Sequence, residues 1–282
     1  MSDLLQIKKT ELCLGLKKQY KFLQISDMHM SCIYEDSSEL DVGEHKHFLE
    51  QWIPMKYTFA KDFGEFCDER YDVEPTVMFK LLTDYACQIG ADALIFSGDI
   101  IDRVTDSNIR FMKEFLANYP LPVIYCPGNH CWINEIGEKF CQYDRLKGVI
   151  ENPECDSFDF GEFSVVTVDN GMKKITQKQI DFLKEQLNGE KPILLVLHAP
   201  LNLGEFGDML AKKLSPYFLM GSDGDCENAF EFNKIVANNS EKIIAVLAGH
   251  IHGAQDGEIV NGLKLYTTSS GLIGACREII IK

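Results

Sequence analysis

The sequence predicts an α/β fold with largely parallel strand pairing, on two observations: short apolar runs rich in β-branched residues recur along the chain, and amphipathic helical patterns lie between them. The runs Phe22 to Ile25, Ala93 to Phe96, Val123 to Tyr125, Phe163 to Val168, Ile193 to Leu197 and Ile243 to Ala248 read as buried strands. Val77, Leu81, Leu82, Tyr85 and Ile89 fall on one face of a helix that starts near Glu74, and Ile109, Met112, Phe115 and Leu116 form a second such face. A third is Ile180, Leu183 and Leu187, for which Thr176 with Gln179 three residues on supplies a capping-box start.

Residues 30 to 72 interrupt this rhythm. A structureless loop of that length inside a compact domain is unusual, and the stretch carries Trp52, Tyr57, Phe59, Phe63 and Phe66. It is expected to fold as a small helical insertion over one end of the sheet, either as a lid that influences substrate choice or as packed core. No repeat, low-complexity tract or linker divides the 282 residues, so a single domain is expected.

Composition bounds the function. A formal charge of −15 repels nucleic acid and anionic membrane, and the basic pairs, such as Lys8–Lys9 and Lys212–Lys213, are too isolated to form a basic track. Polymeric nucleic acid is therefore a disfavoured substrate. The N-terminus lacks the apolar core of a secretory signal, and no apolar stretch approaches the ~20 residues of a membrane span; the expected location is the cytoplasm, without membrane. Ten cysteines contain no C-x-x-C pair and read as reduced thiols. No G-x-x-x-x-G-K-[ST] or G-x-G-x-x-G stretch supports a P-loop or dinucleotide site, and Gly221 to Asp225 reads as a turn.

The chemistry lies where polar residues meet strand ends. Five apolar runs end in metal-ligand residue types: Asp27 and His29, Asp99, Asn129 and His130, His198, and His250 and His252. Ligands of α/β sheets gather beyond the carboxyl ends of strands, so these groups are placed to converge. Residues i and i+2 of an extended segment point the same way, which lets Asp27 and His29 reach one metal. His250 and His252 share a side too, with a loop distortion able to send them to neighbouring metals. Gly98, Gly128 and Gly249 stand just before presumed ligands, where a β-carbon would hinder close approach. Each motif alone is weak; five of the seven histidines at strand exits make the set informative. His45 and His47 form a further H-x-H, out of that context, and read as solvated or structural.

In this order the segments D-x-H, G-D-x-x-D, G-N-H, H and G-H-x-H resemble the calcineurin-like metallophosphoesterase superfamily, over Asp27 to His252. The resemblance implies a four-layer α/β/β/α sandwich of two mixed sheets flanked by helices, with a two-metal site at the strand ends. It also implies the ligands: Asp27, His29, Asp99 and His252 around one ion; Asp99, Asn129, His198 and His250 around the other, with Asp99 as bridge. Two divalent ions, two carboxylates and a bridging hydroxide leave about one net positive charge, which attracts phosphate. Mixed N/O ligation suits manganese, iron or zinc, divalent or trivalent.

The expected function is hydrolysis of small phosphoesters, monoesters or diesters including cyclic nucleotides, by a metal-bridging hydroxide; a non-enzymatic scaffold and a nuclease are the alternatives. His130, beside Asn129, is the expected general acid or phosphoryl donor. Asp102 resembles the carboxylate that orients this histidine in related phosphatases. Arg103 is either a phosphate clamp, as in Asp-Arg phosphatases, or a solvated arginine. Cys131 and Val104 depart from the family pattern, where many relatives carry an acid after Gly-Asn-His and protein phosphatases carry Gly after Asp-Arg, which weakens any transfer of substrate class. Oligomeric state is left open.

Overall fold

The computed structural model describes residues 4–62 and 73–282, with backbone only for 56–62. In chain order the strands are β1 (Gln6–Leu12), β2 (Tyr20–Ile25), β3 (Ala93–Ser97), β4 (Val123–Cys126), β5 (Cys155–Asp159), β6 (Ser164–Val168), β7 (Ile193–Val196), β8 (Ile243–Ala248), β9 (Asp256–Val260), β10 (Leu263–Thr267) and β11 (Ala275–Ile281). The helices are α1 (Glu39–Asp62), α2 (Pro75–Gln88), α3 (Asp106–Asn118), α4 (Tyr143–Leu146), α5 (Gln177–Asn188), α6 (Gly204–Lys213) and α7 (Glu227–Asn238).

The strands form two mixed sheets, ordered β1-β11-β2-β3-β4 and β5-β6-β7-β8-β10-β9. The six runs read from the sequence are the parallel strands: β2, β3 and β4 pair in parallel, as do β6, β7 and β8. Strands buried on both faces lose polar alternation and appear as continuous apolar runs, and their successive residues serve different layers. Phe22, Ala93 and Ile95 face Phe163, Val165, Leu194 and Ala245 between the sheets. Their neighbours Leu23, Leu94 and Phe96 turn outward onto Met78, Phe79 and Leu82 of α2 and Met112 of α3. Val166, Leu195 and Val246 do likewise against Ile180, Leu183, Phe232 and Val236 of α5 and α7. Helices, sheet, sheet and helices therefore stack as four layers around three apolar interfaces.

Helix starts follow their caps. Glu74 accepts hydrogen bonds from the amides of Thr76 and Val77, and Thr105 accepts from Asn108 at 3.0 Å. The capping box of Thr176 and Gln179 is formed in both directions. Helix α1 occupies part of the 30 to 72 stretch; the side chains of Tyr57 and Phe59, and Phe63 and Phe66 altogether, lie outside the described residues. Gly221 to Asp225 is a turn, closed by the Asp225 carboxylate accepting the amides of Gly221 and Ser222. Every cysteine among the described residues is free, and no described helix is long and apolar enough to cross a membrane.

Candidate metal centre and active-site cavity

The loops leaving β2, β3, β4, β7 and β8 meet at one end of the two sheets, and the backbone there is bent away from the strand conformation. Asp27 (φ +55°), His29 (+45°), Asp99 (+53°), His250 (+67°) and His252 (+51°) all adopt left-handed φ values. Such conformations cost on the order of 1–3 kcal/mol each in non-glycine residues and collect at functional sites. The D-x-H and H-x-H segments are therefore not extended, contrary to the expectation from their i and i+2 spacing: the chain turns at both members of each pair. Asp27 and His29 still arrive in one cluster, whereas His250 and His252 separate into two.

The first cluster is Asp27, His29 and His252. The Nε2 atoms of His29 and His252 approach to 3.1 Å, and Asp27 Oδ1 stands 3.2 Å from His252 Nε2 and 3.9 Å from His29 Nε2. The second is Asp99, His198 and His250, with Asn129 beside them. His198 Nε2 lies 3.0 Å from Asp99 Oδ2, 3.1 Å from Asn129 Oδ1 and 3.1 Å from His250 Nδ1. The seven residues expected as ligands are therefore together. Asp99, expected to bridge, groups with His198 and His250.

The loops are locked to one another through the same carboxylates. Asp27 Oδ2 accepts the amide of His250 at 2.9 Å, and Asp99 Oδ1 accepts the amide of His130 at 2.8 Å. Such close approach leaves no room for a β-carbon at any of the three glycines before these residues; one on Gly128 would lie 2.2 Å from Asp99 Oδ1. One on Gly98 (φ +98°) would lie 1.9 Å from His198 Nδ1, and one on Gly249 would lie 1.8 Å from Ser26 Oγ. The ring of His198 is oriented by its Nδ1 on the carbonyl of Ser97, at 2.9 Å, which points Nε2 inward.

The donor set fits two metal ions. Carboxylate oxygens, imidazole nitrogens and an amide oxygen face one another in two buried groups, and Asp27 Oδ1 has no well-formed hydrogen bond although wholly buried. In the unloaded protein burial alone would raise the pKa of Asp27, yet the His252 imidazole outweighs it and lowers the value to about 2. Burial also depresses His250, to about 3, with the neighbouring His198 adding to the shift.

Asp102 joins the cluster to His130. Its Oδ1 is 3.0 Å from His130 Nδ1 and 3.4 Å from His29 Nδ1, and its main-chain carbonyl is 2.8 Å from His130 Nδ1. One carboxylate thus orients both a candidate ligand and the candidate acid. Burial opposes a charged His130, but Asp99 and Asp102 prevail and raise its pKa to about 9. The Arg103 guanidinium pairs with the buried Glu44 of α1, and Arg103 is not among the residues that line the cavity.

That cavity, of about 680 Å³, opens above the two clusters. Its lysines are Lys139, Lys173 and Lys213. Trp52 of α1 lies against His29, with rings 4.2 Å apart and 15° from parallel, and 5.3 Å from His130. Opposite, Leu214, Tyr217 and Phe218 form a second wall, the Phe218 ring 5.5 Å from that of His250. His45 and His47 belong to neither cluster; His45 Nδ1 lies 3.4 Å from Ser31 Oγ.

Sequence reasoning missed several residues that build this site. Asn170 accepts the amides of His198 and Ala199 at 2.9 Å each. Asp169 accepts from Trp132, Tyr143 and Gly171. Both follow the Phe163 to Val168 run, so the signal was a strand exit without a histidine. For Lys213 to Phe218 no local motif exists.

Residues 20–254 match the profile of the calcineurin-like phosphoesterase family, and the chain belongs to that family. It is a metallophosphoesterase, an enzyme that hydrolyses phosphoester bonds. Among curated proteins it is 23% identical over 215 residues to one named "Probable glycerophosphodiester phosphodiesterase GpdQ" from Arcobacter nitrofigilis, covering 71% of each chain. It is 28% identical over 139 residues to a "Probable cyclic nucleotide phosphodiesterase" from Fibrobacter succinogenes, covering 47% of this chain and 52% of that protein. A solved dimetal phosphatase from Danio rerio shares the fold, with a TM-score of 0.56 at 11% identity over 92% of this chain and 91% of that one.

Proposed function

We propose that this protein hydrolyses small phosphodiesters at a two-metal centre. Asp27, His29, Asp99 and His252 hold one ion in this reading, and Asp99, Asn129, His198 and His250 the other, with Asp99 shared. The observation that carries it is the pair of buried donor clusters at the floor of a cavity with an apolar wall on each side: Trp52 by His29, Phe218 by His250. A diester brings a single phosphoryl charge and two organic arms, and two walls flanking the metals suit two arms. Both curated relatives carry phosphodiesterase names.

Metal ions held by these residues would supply the nucleophile and neutralise phosphoryl charge. The chain's own residues supply the rest. His130 holds its Nδ1 proton toward Asp102, so the proton on Nε2 is the one delivered to the departing alkoxide. Asp102 keeps that ring in place and braces His29. Trp52 and Met55 shield the leaving side from water. Helix α1 acts as a lid-like insertion on a single domain spanning 1 to 282, and the enzyme works in the cytoplasm on small soluble esters.

Turnover of bis(p-nitrophenyl) phosphate against p-nitrophenyl phosphate by metal-loaded protein tests this reading. The diester is expected to be hydrolysed with the higher kcat/KM. Preference for the monoester would overturn the diester assignment. No turnover of either would favour a scaffold, and activity confined to long nucleic acid a nuclease.

A further inference from the structure

We infer that Tyr217 and Phe218 form a shelf for a planar heteroaromatic base, so that the substrate is a phosphodiester of a nucleoside. The inference rests on the phosphodiester reading above and adds what one arm is.

Tyr217 is 66% exposed and Phe218 37% exposed, yet both line the cavity at the metal centre. Large apolar side chains left open beside a reactive site imply an apolar partner, because covering them is favourable at about 25 cal/mol per Å². The shelf is also preformed. It sits on the 3-10 turn Pro216–Phe218, started by Ser215 Oγ accepting the Tyr217 amide at 3.2 Å. Leu219 and Met220 immediately after are fully buried. The two rings meet edge to face, 5.7 Å apart at 83°.

One face of Tyr217 is already engaged: Lys173 Nζ stands 4.8 Å from the ring centre and is fixed by Asp225 at 3.2 Å. An ammonium ion above a ring holds it in place, which leaves the shelf as a rigid aromatic edge and face. Polyol arms are a poor match, since they need several hydrogen-bonding partners and Leu214, Tyr217 and Phe218 offer mainly carbon. Flexible alkyl chains lose more entropy there than a flat ring does. A base stacks on aromatic side chains whatever its identity.

Position relative to the acid decides which arm is concerned. His130 packs by Trp52 and His29, whereas Phe218 packs by His250. The shelf therefore meets the arm that remains on phosphorus, and the product is a nucleoside monophosphate.

Calorimetry on the metal-loaded protein with adenosine 5′-monophosphate and ribose 5-phosphate isolates the base, as the two share sugar and phosphate. The nucleotide should bind about tenfold or more tightly, the range expected for stacking one base. In the double variant Tyr217→Ala/Phe218→Ala the two ligands should come within about twofold of each other, with ribose 5-phosphate affinity and metal content unchanged. Equal affinities in the parent protein, or a base preference that survives the double variant, would overturn the shelf. Absence of bis(p-nitrophenyl) phosphate turnover would overturn the phosphodiester reading instead, whatever the calorimetry gives.

Discussion

Each carboxylate of the centre works with both oxygens. Asp27 and Asp99 turn one oxygen toward the imidazoles and the other onto the amide of a neighbouring loop, so removing charge also loosens a loop. Asp99→Asn should be the most damaging ligand change: activity lost, with at least one metal lost per chain by elemental analysis. A variant retaining two metals and full turnover would contradict the shared role. His130→Ala should slow an alkyl diester by roughly 10²- to 10⁴-fold and a nitrophenyl diester much less, because nitrophenolate leaves without a proton. Equal losses with both metals retained would make His130 a charge stabiliser rather than an acid. The seven residues of the two clusters were legible in the sequence because glycines and strand exits announce them. Asn170 and Asp169 were not, since amide and carboxylate side chains after a strand also cap, turn or face solvent. The left-handed φ of five cluster residues was equally hidden, because such values are set by the tertiary contacts of the loops.

Among the elements, α1 changes the account most. It carries Trp52 to the face of His29 and Glu44 to Arg103, so the Arg103 guanidinium is paired within the protein. The sequence hinted at a helical insertion but not at its bounds, because Gly43 and Pro54 lie inside the helix and both argue against helix in isolation. The parallel strands β2, β3, β4, β6, β7 and β8 were legible as apolar runs. The strands β1, β5, β9, β10 and β11 escaped notice because they mix polar and apolar residues or sit at chain ends; β11 even buries Arg277, paired with Asp256. Stacking of aromatic rings is worth about 0.5–1.5 kcal/mol. Trp52→Ala should therefore weaken metal binding by the Asp27, His29 and His252 cluster by up to about tenfold, with Trp52→Phe restoring most of it. Calorimetric metal titration measures this, and unchanged affinity in Trp52→Ala would reduce the stack to mere proximity.

At the scale of the molecule, the centre stores proton-linked stability when no metal is present. In the unloaded protein burial disfavours a charged His198, but Asp99 overcomes it and raises the pKa to about 9; His130 is raised similarly. Groups raised in the folded state stabilise it fully below their ordinary value, near 6.5, and that contribution fades as pH climbs through 9. Burial holds Glu44 up to about 8, with Asp102 adding to it against Arg103; its stabilisation is complete below about 4.5 and fades through pH 8, the same direction. The Tm of chelator-treated protein should therefore fall between pH 6.5 and 9. Metal-loaded protein should show a smaller fall, because an ion on His198 replaces its proton, whereas His130 and Glu44 still titrate. A Tm of unloaded protein that rises over that range would contradict the electrostatic account. The chain's charge is −15, yet Lys139, Lys173 and Lys213 line the cavity over the two donor clusters, a local positive field that draws an anionic phosphoester.

The most direct test of the central claim is to count metal ions and turnover in one sample. Native mass spectrometry of the purified chain, with bis(p-nitrophenyl) phosphate hydrolysis followed as metal is stripped and restored, should give two ions per chain and activity that vanishes and returns with them. Full activity in a chain holding no ion, or a fully active chain that never holds more than one, would contradict the two-metal centre.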